Sequence, residues 1–142
     1  KGSKIHTVVK DVKISYDFNW QRLHWRSLQT SYRSSAFFEY YEDDLAVFYE
    51  KKWQFLFDYN EELLRLILGF LKINIEYSYT EDFEKTYPGF HDYRESIHPK
   101  RASSLKMSTY FQVFEERNGF LPNLSIVDLL FNQGPQSSKF LV

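Results

Sequence analysis

The stretch WQFLFDYNEELLRLILGFL, residues 53–71, has the apolar spacing of a long amphipathic helix. A second helix is predicted from Trp20 to Arg33, because Asn19 offers an N-cap and apolar side chains follow it at helical spacing. We expect the inward face of the long helix to consist of Leu56, Leu63, Leu64, Ile67 and Leu71.

Three shorter helices are also predicted. Two follow a Ser-Ser break, one over residues 36–41 and the other from Asp43 onward. The third begins at Ser125, which has capping-box spacing with Asp128. Because its apolar residues are too many for a lone surface helix, we expect the 110–132 block to pack against the second helix.

Two segments have the alternation of apolar and polar residues that is typical of half-buried strands. We expect these two strands to pair with each other. The predicted fold class is therefore α+β, helix-rich, with a small β-sheet of two or more short strands, and residues 1–142 form a single domain. The alternating residues are Val12, Ile14 and Tyr16 in the first segment, and Ile75, Tyr77 and Tyr79 in the second.

Composition excludes several classes of function. The 142 residues carry a net charge of −1, which argues against non-specific binding of nucleic acid. No apolar run reaches the roughly 18 residues of a membrane span. The absence of cysteine excludes thiol chemistry and favours the cytoplasm. Aromatic residues make up 20% of the chain, an excess that suits a pocket or an interface.

The helix from Trp20 to Arg33 carries two sets of polar residues. On a helical wheel His24 falls with Ser27 between Leu23 and Leu28, so the predicted centre of the buried face is polar. His24 is then either a hydrogen-bonded core histidine or the base at the floor of a pocket. The other arc holds Arg22, Arg26, Gln29 and Arg33, which suit either an anionic ligand or ion pairs with the acidic residues that follow.

Ionisable residues are dense in the loop over residues 91–101, and long loops of this kind are often functional. His91, Asp92 and His98 match no standard metal-ligand spacing, so we expect neither a metal nor a cofactor. His98 and Lys100 are candidates for holding an anionic group.

Several blocks resemble the WbqC-like protein family. The resemblance implies a place in bacterial surface-polysaccharide (O-antigen) gene clusters, and glycine or other aminoacyl transfer to a sugar. It also implies a C-terminal portion of a member, because an opening of the type Gln-Pro-Tyr is not found here. The matching blocks are NWQRLHWR (19–26), SYR (31–33), FFEYY (37–41), DYR (92–94), IHPK (97–100), YFQVF (110–114) and GFLPNLSIVDLLFNQG (119–134).

Two functions remain open at this point. One is a transferase that acts on a sugar or nucleotide-sugar, with His24 as general base and Asp128 orienting it. The other is a non-catalytic binding or assembly module with an aromatic-rich surface. The expected partners are the sugar and the missing N-terminal segment. The substrate-binding candidates are Arg22, Arg26, Ser27, Tyr32, His98, Lys100, Tyr110, Gln112, Asn123 and Asn132.

Overall fold

The computed structural model describes residues 7–94 and 108–141, and in this part of the chain the protein is helical. Short 3-10 helices lie at Val9–Asp11 and Gly134–Phe140. None of the helices in the described ranges is long and apolar enough to cross a bilayer. The α-helices are α1 (Trp20–Tyr32), α2 (Phe38–Glu50), α3 (Leu56–Leu71), α4 (Glu115–Asn118) and α5 (Ile126–Gln133).

The start of α1 agrees with the sequence. The Asn19 side chain accepts a hydrogen bond from the Arg22 amide, at 3.2 Å, as expected of an N-cap. The two helices predicted after Ser35 are instead one continuous helix, α2, because no helix-breaking residue stands between Tyr41 and Asp43.

The core lies between α1, α2, α3 and α5. Phe131 of α5 is fully buried, and its ring lies 5.0 Å from the ring of Tyr32 in α1 and 5.0 Å from that of Phe38 in α2. The prediction that the 110–132 block packs against α1 is therefore confirmed. From α3, Ile67 and Leu71 enter this core, whereas Leu56 and Leu64 are exposed.

The predicted α+β fold is wrong. Within residues 7–94 and 108–141 no strand or sheet forms, and the first alternating segment makes only an isolated antiparallel bridge, Lys13 with Phe55. The second alternating segment, residues 75–79, lies along α3 instead of pairing with the first. An extended segment with one apolar face can cover a helix as well as a sheet, so alternation alone does not decide between the two.

Candidate functional site

A buried polar cluster joins α5 to two other parts of the chain. Asp128, in the first turn of α5, is 4% exposed. Its Oδ2 accepts hydrogen bonds from the Tyr110 hydroxyl at 2.8 Å and from the Gln112 side-chain amide at 3.2 Å. The Tyr32 hydroxyl of α1 also interacts with this carboxylate. Four of the predicted site residues thus meet at one point.

Gln112 fixes the segment that leads into α5. Its Nε2 donates to the Leu121 carbonyl at 2.9 Å, and its Oε1 accepts from the Leu121 amide at the same distance. Asn132 lies one turn after Asp128, and its Nδ2 donates to the Asp128 carbonyl at 2.8 Å. The Oδ1 of Asn132 is buried and has no hydrogen-bond partner among the described residues.

The tyrosines of this cluster remain protonated donors. Burial raises the pKa of Tyr110 to about 12; the hydrogen bond with Gln112 opposes this rise, and the hydrogen bond and charge of Asp128 add to it. Burial first, and then the Asp128 charge, also raises the pKa of Tyr32. Within the described ranges no cation forms an ion pair with Asp128, so neutral donors hold its charge.

The capping role predicted for Asp128 is wrong, because its carboxylate turns into the cluster. Ser125 is the N-cap residue of α5 but makes no side-chain capping bond, and only its carbonyl accepts from the Asp128 amide. Asp128 is buried, and Tyr110 and Gln112 occupy its Oδ2. The geometry favours a structural role for Asp128, and its catalytic role stays an untested prediction.

His24 lies on the solvent side of α1, so the predicted buried polar face is wrong. In the described part of the chain, the His24 side chain is exposed and its ring lies edge to face with the ring of Trp20, with centroids 5.4 Å apart. Two helical turns, about 12 Å, separate it from Tyr32, which contacts Asp128. The two predicted catalytic residues are therefore not brought together. The inward residues of α1 are Gln21, Trp25, Leu28 and Tyr32.

The second polar set of α1, the arginine stripe of Arg22, Arg26, Gln29 and Arg33, divides into residues with and without an ion-pair partner in the described ranges. Arg33 forms an ion pair with Glu42 of α2 at 2.6 Å, and Gln29 donates to the same carboxylate at 2.9 Å. Arg22 and Arg26 are exposed, and their guanidiniums form no ion pair with any described residue. Ion pairing, the plainer of the two interpretations, thus accounts for one end of the stripe.

The remaining predicted site residues lie apart from one another. The Ser27 hydroxyl donates to the Leu23 carbonyl one turn back, at 2.9 Å. Asn123 is exposed, with a positive φ of 60°, in the turn before α5. His98 and Lys100 lie outside the described residues.

The sequence analysis missed an open cavity of about 560 Å³ beside the C-terminal half of α3. Its far wall is the extended segment over residues 73–79, the one predicted as the second strand. The cavity is lined by Arg65, Leu68, Gly69, Ile73, Asn74, Ile75, Glu76, Tyr77 and Tyr79.

Glu61 of α3 holds this wall in place. Its Oε2 accepts hydrogen bonds from the hydroxyls of Tyr77, at 2.9 Å, and Tyr79. The bond from Tyr79 is the main reason that the pKa of Glu61 is lowered, and the same bond raises the pKa of Tyr79 to about 12. Arg65 lies 3.8 Å from Glu61 and 4.0 Å from Glu62, and its interaction with Tyr77 raises its pKa.

The sequence did contain a signal for this cavity. Tyr77 and Tyr79 project to the same side of an extended chain, and Glu61 and Arg65 share one face of α3. Two hydroxyls on one element and a carboxylate with a guanidinium on the other are complementary. The missing information was that the two elements are neighbours.

Comparison with known proteins places these features in a family. The sequence model of the WbqC-like protein family matches residues 1–91, more than half of the chain. The chain belongs to the WbqC-like protein family. The cavity beside α3 lies wholly within the matched residues, whereas Asp128 and its partners from Tyr110 onward lie outside them.

A bacterial relative is similar over nearly the whole chain. This WbqC-like chain is 26% identical over 164 aligned residues to the "Uncharacterized protein Rv1507c" of Mycobacterium tuberculosis, an alignment that covers 97% of this chain and 71% of that protein. No solved structure matches the chain significantly.

Proposed function

We propose that this WbqC-like chain binds a sugar in the cavity beside α3, in aminoacyl or related group transfer to sugars of bacterial surface polysaccharides. The cavity itself carries the binding half of this proposal, because it joins aromatic side chains to hydrogen-bonding groups in an open hollow. The transfer reaction and its setting are what the family resemblance implies.

The size and chemistry of the cavity suit a sugar. Its volume of about 560 Å³ falls within the range of about 300–1,000 Å³ that is usual for small-molecule sites. Tyr77 and Tyr79 are 40% and 55% exposed, and a tyrosine offers an apolar face together with a polar tip. Such a face can pack against the C–H groups of a pyranose, while the Asn74 amide and the Arg65 guanidinium can bond its hydroxyls.

The open form of the cavity favours the end of a glycan or a single sugar over a small buried metabolite. One wall is the α3 helix, which is held by the core, and the other is pinned to it through Glu61. A site built on rigid elements keeps its binding groups in position before the ligand arrives.

A non-catalytic binding module is the second candidate. The side chains of Phe83 and Phe90, which follow the cavity along the chain, are 84% and 78% exposed. Exposed aromatic rings in one segment are typical of interaction surfaces. Both functions need the sugar site, so binding alone does not distinguish them. The distinguishing experiment incubates the chain with a sugar and an activated aminoacyl donor and measures the mass of the sugar. An increase by one aminoacyl group favours the transferase.

Binding is tested by ligand-observed NMR and by calorimetry with a panel of monosaccharides and short glycans. Tyr79→Ala should weaken the binding of a recognised sugar by about tenfold, because a stacking face is lost. Tyr40→Ala is the matched control, since Tyr40 is 70% exposed on α2 and does not line the cavity. Equal effects of the two substitutions, or no binding of any sugar, would contradict the proposal.

A further inference from the structure

The charges around the cavity are unequally compensated. Arg65 is the cation among the described residues that line it, and its charge is balanced by Glu61 at 3.8 Å and by Glu62 at 4.0 Å. Glu61 is in turn occupied by the hydroxyls of Tyr77 and Tyr79. These groups satisfy one another and leave no net positive charge for a ligand.

Glu76 is different, because it lines the cavity and has no partner in the described part of the chain. Its side chain is exposed, and it forms no hydrogen bond or ion pair with another residue of the described ranges. The charge that this wall offers to a ligand is therefore negative.

We infer that the sugar bound in this cavity carries a free amino group, whose ammonium pairs with the Glu76 carboxylate. The inference rests on the proposed sugar site and specifies its ligand. Among the described lining residues, an acidic sugar or a sugar phosphate would meet Glu76 with no free cation to offset it, so such ligands are disfavoured. An amino sugar gains the ion pair and keeps the stacking face and the hydroxyl contacts.

The test compares glucosamine, glucose, N-acetylglucosamine and glucuronic acid by NMR titration of the whole chain at low salt and about pH 6, where amines are protonated. Glucosamine should bind about fivefold more tightly than glucose, as expected of one partly exposed ion pair. N-acetylglucosamine should bind like glucose, since acetylation removes the charge, and glucuronic acid should bind most weakly.

Variants assign the preference to one side chain. Glu76→Gln should abolish the preference for glucosamine over glucose, whereas Glu116→Gln, which alters an exposed residue of α4, should preserve it. If glucose and glucosamine bind equally, or if the preference survives in Glu76→Gln, the amino-sugar inference is wrong while the sugar site stands. If none of the four sugars binds and longer glycans also fail, the proposed sugar site itself is wrong.

Discussion

The buried carboxylate of Asp128 connects three parts of the described structure. Its carboxylate accepts from Tyr110 and Gln112 and interacts with Tyr32, so it joins α5 to α1 and to the segment before α4. Asp128→Ala would leave these buried donors without their acceptor. We expect the free energy of unfolding to fall by about 3 kcal/mol, measured by urea denaturation.

Asp58→Ala is a matched control for that substitution. Asp58 holds the same position in the first turn of α3 but is exposed, so only its interaction with the helix dipole is lost. Its effect should stay below about 1 kcal/mol. Equal effects of the two substitutions would mean that Asp128 acts only at the start of its own helix.

The sequence identified the members of this cluster but not their arrangement. Five of the candidate site residues lie together in the structure: Tyr32, Tyr110, Gln112, Asp128 and Asn132. Their hydrogen bonds could not be predicted, because Tyr110 and Asp128 are 18 positions apart and their proximity depends on the path of the chain between them.

The orientation of α1 was misjudged for a related reason. The helical wheel places the buried face between Leu23 and Leu28, but in the structure Leu23 is 60% exposed. The inward face is instead set by Gln21, whose amide donates to the carbonyls of Phe48 and Lys51 at the end of α2. A polar residue that is buried because it has found partners is invisible to an apolar pattern.

At the scale of elements, the junction between α5 and the following 3-10 helix depends on Gly134. Its φ is +53°, and a Cβ built there would lie 2.4 Å from the Phe37 ring. Gly134→Ala should therefore lower the free energy of unfolding by about 3 kcal/mol or more. Chemical denaturation followed by tryptophan fluorescence measures this loss.

Gly69→Ala provides the opposite control. Gly69 lies within α3, and a Cβ there meets no atom within 4 Å. Alanine in place of glycine in a helix should raise the stability by roughly 0.5–1 kcal/mol. A destabilising effect at both positions would contradict the view that the contact with Phe37 and the backbone angle are decisive at Gly134.

The extended wall of the cavity depends on Glu61. Glu61→Ala removes the acceptor shared by Tyr77 and Tyr79, so this wall should detach from α3 more often. We expect faster amide exchange and faster proteolytic cleavage over residues 73–80, with little change in global stability because these groups are at the surface.

Glu62→Ala is the control for that experiment. Glu62 neighbours Glu61 on α3, and among the described residues its carboxylate pairs with Arg65 alone, at 4.0 Å. Cleavage at an unchanged rate in Glu61→Ala, or an equal increase in both variants, would show that the tyrosine hydroxyls do not hold the wall.

The two segments predicted as paired strands fail to form a sheet for the same reason. Residues 12–16 and 75–79 lie outside the helices, and each is held by a non-adjacent part of the chain. Val12 and Ile14 exchange backbone bonds with Leu56 and Gln54 at the start of α3, and Tyr79 bonds a side chain of α3. Local pattern predicts the extended conformation, while the choice between sheet and helix as partner is made by tertiary structure.

At the scale of the whole molecule, aromatic side chains unite the helices, and many of them are tyrosines. Phe38, Tyr41 and Phe131 are almost completely buried, and rings from α1, α2, α3 and α5 contact one another. The aromatic excess that composition reveals therefore has largely a structural explanation. Burial raises the pKa of Tyr32, Tyr41, Tyr49, Tyr59 and Tyr110.

These raised pKa values predict that the protein loses stability in alkali. In the unfolded chain a tyrosine ionises near pH 10, whereas the pKa of Tyr110 in the folded chain is about 12. Between these values the unfolded state binds fewer protons, so the free energy of unfolding falls as the pH rises. The stabilisation is complete below about pH 10 and decreases by at most about 1.4 kcal/mol per pH unit for each such tyrosine.

Urea midpoints measured from neutral pH to about pH 11 should therefore fall steeply above about pH 9.5, in step with tyrosinate absorbance. Tyr110→Phe should be slightly less stable than the parent at neutral pH, by about 1 kcal/mol for the lost hydrogen bond, and should show a shallower decline in alkali. Tyr40→Phe alters an exposed residue and should decline in parallel with the parent. If Tyr110→Phe also runs parallel to the parent, Tyr110 does not contribute to the alkaline transition, and its bond to Asp128 is weaker than the 2.8 Å distance implies.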